Sequence, residues 1–65
     1  MDILSQSKGG FEVRVSRHEL ELLNNALNEI CNGIDVPEFA TRVGATRAEV
    51  AALLNQIHRL LVRSS

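Results

Sequence analysis

Two capping boxes mark where this chain starts helices. Ser16-Arg17-His18-Glu19 and Thr46-Arg47-Ala48-Glu49 each place a hydroxyl three residues before a glutamate. The hydroxyl can accept from the glutamate's backbone N–H, and the carboxylate can accept from the cap's own N–H. Two donors that a helix start leaves unpaired are then satisfied. An apolar stripe at helical spacing follows each box. Leu20, Leu23, Leu27, Ile30 and Cys31 form the first, widened by Leu22 and Ala26. Val50, Leu53, Leu54, Ile57, Leu60 and Leu61 form the second. The predicted helices run from Arg17 to about Cys31 and from Arg47 to about Val62. Asn32-Gly33 suits the end of the first, with Gly33 in the left-handed position.

Between them, Asp35 can cap a short helix that tolerates Pro37 in its first turn. That helix is predicted over Val36 to Val43, stopping at Gly44. Upstream, Phe11-Glu12-Val13-Arg14-Val15 alternates apolar and polar, the strand period, with Phe11, Val13 and Val15 on one face. No second strand is predicted. Residues 1–10 read as a flexible lead-in that Gly9-Gly10 closes. A lone strand leaves its backbone groups unpaired. Pairing with the same strand of a second copy is the simplest remedy, and a short extended segment solvated by water is the alternative. The predicted fold is mainly α: a short N-terminal strand followed by three helices, the last two as a helix-turn-helix, forming one domain over residues 11–65.

Sixty-five residues make one domain, and one this small is marginal alone. Such a chain adds disulfides, a metal or a second subunit to its core. Cys31 is the single cysteine, so an internal disulfide is excluded. No Cys/His cluster has zinc spacing. Self-association remains, which predicts a homodimer through Phe11, Val13, Val15, Leu22 and Leu60. The apolar fraction of 45% excludes a disordered chain. No run approaches the length of a membrane helix, so no membrane partner is expected. A cytoplasmic, reduced protein of bacterial style is expected, with Cys31 as a core thiol.

The segment Val36 to Asn55 resembles the helix-turn-helix superfamily. Ala40 stands as the small contact residue, flanked by Phe39 and Val43 as inward anchors. Gly44 makes the turn, Ala45 follows, Thr46 caps, and Val50 and Leu53 point inward. In DNA-binding relatives the start of the second helix enters the major groove. The resemblance therefore implies Thr46, Arg47 and Ala51 as DNA contacts, with Ala48 and Ala52 beside them and Arg42 and Arg59 near phosphates. Four of the five groove-facing positions are Thr or Ala, which offer little to base edges. The net charge of −1 lacks the basic excess of a dedicated nucleic-acid binder.

The first helix carries Asn24, Asn25, Asn28 and Asn32, although Asn is a poor helix former. Glu21, Asn25, Asn28 and Asn32 fall along one side, as a polar face for a protein partner. The structural alternative has Asn32 capping the helix end and Asn28 satisfying the next turn. His18 and His58 stand singly and read as solvent-facing rather than metal ligands. No catalytic grouping or phosphate loop occurs, so no enzyme activity and no cofactor are expected. The run from Leu22 to Ile34, followed by Phe39 to Gly44, also resembles short bacterial proteins, some similar to immunity partners of toxins. Two functions follow: a non-enzymatic, homodimeric protein-interaction module of immunity or antitoxin type, or a small DNA-binding regulator.

Overall fold

The computed structural model describes residues 1–63. Two strands precede three helices: β1 (Asp2–Ser7), β2 (Gly10–Arg14), α1 (Arg17–Asn28), α2 (Phe39–Val43) and α3 (Arg47–Arg63). The chain is mostly helical, with an N-terminal β-hairpin.

Both capping boxes form. Glu19 N–H donates to Ser16 Oγ at 3.1 Å, and Ser16 N–H to Glu19 Oε1 at 3.0 Å. At α3, Glu49 N–H donates to Thr46 Oγ1 at 3.1 Å, and Thr46 N–H to Glu49 Oε1 at 3.0 Å. These bonds hold the Glu49 carboxyl below its ordinary range. The Glu19 carboxyl falls to about 2, chiefly because the N-terminal amine of Met1 donates to it. That ion pair ties the start of the hairpin to the first turn of α1.

The second strand corrects the sequence reading. Residues 2–7, read as part of a flexible lead-in, pair antiparallel with β2 across a Lys8-Gly9 turn. Alternation does not reveal β1 because the register shifts between Ile3 and Ser5. Ile3 faces Val13 and Ser5 faces Glu12, so Leu4 is the extra residue of a bulge. Two adjacent apolar residues thus interrupt the period of two. With β1 in place, the Phe11–Val15 segment already has a partner on one edge. It does not need a second copy to become a strand.

The end of α1 also differs. Gly33 does not take a left-handed conformation. Instead α1 widens into a π-helical turn over Glu29–Gly33, closed by Ile34 N–H donating to Glu29 O at 2.9 Å. The next helix is shorter than predicted. Asp35 makes no cap, and α2 begins only at Phe39. The cause is Glu38, whose φ of 54° is left-handed and cannot sit inside a right-handed helix. Pro37 and Glu38 therefore form a turn, and α2 is a single turn of helix.

Gly44 ends α2 as expected, at φ 84°, with its N–H donating to Ala40 O at 2.9 Å. A Cβ there would meet nothing within 4 Å, so only the backbone constrains the residue. Gly44→Ala is expected to cost about 1 kcal/mol, the strain of a left-handed alanine. A lowered urea midpoint with an unchanged slope would register it.

The helical core is small. Among the described residues, Cys31, Phe39, Val50 and Ile57 are buried. Cys31, Phe39 and Val50 form one cluster, with Leu27, Ile30, Val36 and Ala45 packed on it. Two predicted inward anchors are not buried: Val43 is 38% exposed and Leu53 48%. Ala40 is exposed as well. With α2 only one turn long, α3 takes α1 as its main packing partner and runs back along it.

Candidate interaction surfaces

The predicted DNA contacts divide once the side chains are placed. Thr46 uses its hydroxyl on Glu49 N–H. Arg47 lies with its guanidinium carbon 4.5 Å from the centre of the Phe39 ring. Its Nη1 donates to Cys31 O at 2.7 Å and approaches Ile30 O at 3.5 Å. Those carbonyls lie in the widened end of α1, where helix geometry leaves acceptors unpaired. Arg47 therefore caps a different helix, with its cation over an aromatic face. Ala51 is half-buried and Arg42 exposed.

The asparagine side chains regroup. Glu21 is engaged by Arg17, whose Nε donates to its Oε1 at 3.1 Å. Asn25 is exposed. Asn32 Nδ2 donates to Asn28 Oδ1 at 3.0 Å, so these two amides hold each other rather than capping the helix end. Asn24, Asn28 and Asn32 line a groove of about 380 Å³ together with Leu54, Asn55 and His58 of α3. The predicted face thus keeps Asn28 and Asn32, exchanges Asn25 for Asn24, and gains Asn55 and His58. The signal for the last two is that α3 runs back along α1. Residues flanking the two apolar stripes then meet across the seam.

Asn24 stands out within that groove. Its Oδ1 is buried and has no hydrogen-bond partner. A buried acceptor without a donor costs about 1–3 kcal/mol. Asn24→Leu, similar in branched shape, is expected to raise the free energy of unfolding by about 1 kcal/mol. Thermal denaturation would read the gain. Such a gain is the pattern expected where a polar side chain is kept for contact rather than for folding.

The residues predicted for a dimer are exposed, apart from Val15, which is half-buried. Phe11 is 65% exposed, Leu22 55% and Leu60 52%. No protein-family model matches the chain, and no curated protein or solved structure matches it. A second groove, of about 370 Å³, lies where the hairpin meets the helices. Val13, Val15, Arg17, Leu20 and Leu60 line it, so its walls are mainly aliphatic. No described helix is long and apolar enough to cross a membrane. Among the described residues, no three His, Cys, Asp or Glu side chains gather to hold a metal ion.

Proposed function

We propose that the protein is a non-enzymatic protein-interaction module that acts as a homodimer and presents its asparagine groove to a protein partner. The carrying observation is the balance of apolar side chains. Four are buried among the described residues, while twelve large ones are exposed by 38% or more. A marginal single core gains stability when a second subunit covers such surface. The groove of Asn24, Asn28, Asn32, Asn55 and His58 supplies amide donors and acceptors of the kind that recognise peptide groups. The resemblance of Leu22–Ile34 and Phe39–Gly44 to short bacterial immunity-type proteins names the partner class to try first.

A DNA-binding helix-turn-helix is the weaker reading. The left-handed Gly44 and the Thr46 cap favour it. Against it, Arg47 is occupied on Phe39 and Cys31, and the net charge is −1. Sedimentation equilibrium and a salt titration with random duplex DNA separate the two. A dimer at micromolar concentration with no duplex binding at low salt is the expected outcome. Duplex binding that falls steeply with salt would overturn the proposal.

A further inference from the structure

The molecule is too open for its mass. The chain of 7.2 kDa has an accessible surface of 5180 Å². A compact monomer of that mass exposes about 4,100 Å². Its Cα radius of gyration is 13.2 Å, whereas a compact chain of this length has about 11 Å. The excess of about 1,000 Å² is close to the roughly 800 Å² that each partner buries in a standard interface.

The opening lies at the hairpin. Its strands pair with each other but pack little on the helices. A two-stranded sheet with nothing behind it is marginal in water. The register places Ile3 opposite Val13 and Gln6 opposite Phe11, so Ile3, Val13 and Phe11 share one face. Ile3 is 67% exposed and Phe11 65%. That face continues at Val13 and Val15 into the aliphatic groove closed by Leu20 and Leu60.

We infer that a second copy of the chain covers this face. The hairpin of each subunit lays Phe11 and Ile3 over the groove between Val15, Leu20 and Leu60 of the other. The contact is reciprocal, so one two-fold axis closes it and no third copy is recruited. The occupant is another copy because one contact of standard size removes the surface excess on both chains together. A net charge of −1 opposes self-association only weakly. This inference rests on the homodimer reading and adds the surface through which it works.

The test compares sedimentation of the full chain with Phe11→Glu, Leu60→Glu and Leu22→Glu. Helicity by circular dichroism is followed in each. All three positions are more than half exposed, so a glutamate there is solvated in the single subunit. Leu22, expected from the sequence to join the dimer, lies two residues from Leu20 on the far side of α1 from the groove, so this contact leaves it out. Phe11→Glu and Leu60→Glu are each expected to weaken dimerisation at least about a hundredfold, because each buries a charge at an interface anchor. Leu22→Glu is expected to leave it within about threefold, the effect of a substitution outside the contact. A dimer that survives the first two substitutions would overturn the inference and leave the homodimer reading standing. A wild-type chain that sediments as monomer would overturn both. Isotope-filtered nuclear Overhauser contacts between Phe11 and Leu60 of different copies are expected. Their absence from a saturated dimer would count against the reciprocal arrangement.

Discussion

Phe39→Ala is expected to lower the stability of the protein by about 3–4 kcal/mol, most of what a domain this small has to lose. Phe39 is the aromatic member of the Cys31–Phe39–Val50 cluster. It is also the surface on which the Arg47 guanidinium rests. Truncation removes the ring from three elements at once, since α1, α2 and α3 meet there. It leaves a cavity that the single turn of α2 can only partly collapse. Urea unfolding at fixed protein concentration measures the loss, because the proposed self-association would make the apparent stability depend on concentration. A change below about 1 kcal/mol would mean that the cluster is not the centre of the fold.

Arg47→Ala is expected to cost about 1.5–2.5 kcal/mol, the worth of a charge-assisted hydrogen bond plus a cation–aromatic contact, discounted for exposure. Arg47→Lys should still lose about 1 kcal/mol, since an ammonium lacks the planar fork that stacks and donates together. The loss has a location. Amide exchange should quicken at Ile34, whose N–H closes the turn beside the carbonyls that Arg47 holds. If Arg47 served base readout, the same substitution would leave stability unchanged and weaken duplex binding instead. The two substitutions share the Phe39 ring, so their combined cost should fall short of the sum.

Much of the fold is legible in the sequence because its signals are local. A capping box involves four consecutive residues, and both boxes form as the spacing predicts. The apolar stripes mark α1 and α3, and Gly44 marks its turn by left-handed geometry. Three features escape such reading. β1 is hidden because its bulge at Leu4 breaks the alternation. The late start of α2 depends on the left-handed Glu38, which no sequence rule demands of a glutamate. At the widened end of α1 the Cys31 carbonyl is capped by Arg47, sixteen residues further along the chain.

The candidate surfaces divide along the same line. Asn28 and Asn32 belong to one helix, and helical spacing alone places them together. Asn55 and His58 join them only because α3 lies back along α1. The sequence also placed Phe11 and Val13 on one strand face. It could not show Ile3 beside them, nor that the helices leave this face uncovered. The starts of α1 and α3, the turn at Gly44 and the facing of neighbouring side chains were determined by the sequence itself, because they rest on interactions within a few residues. Which carbonyls Arg47 caps, which amides share a groove and which apolar face stays open were decided by the tertiary structure. Those depend on how distant segments pack, and in so small a core the packing leaves one face over.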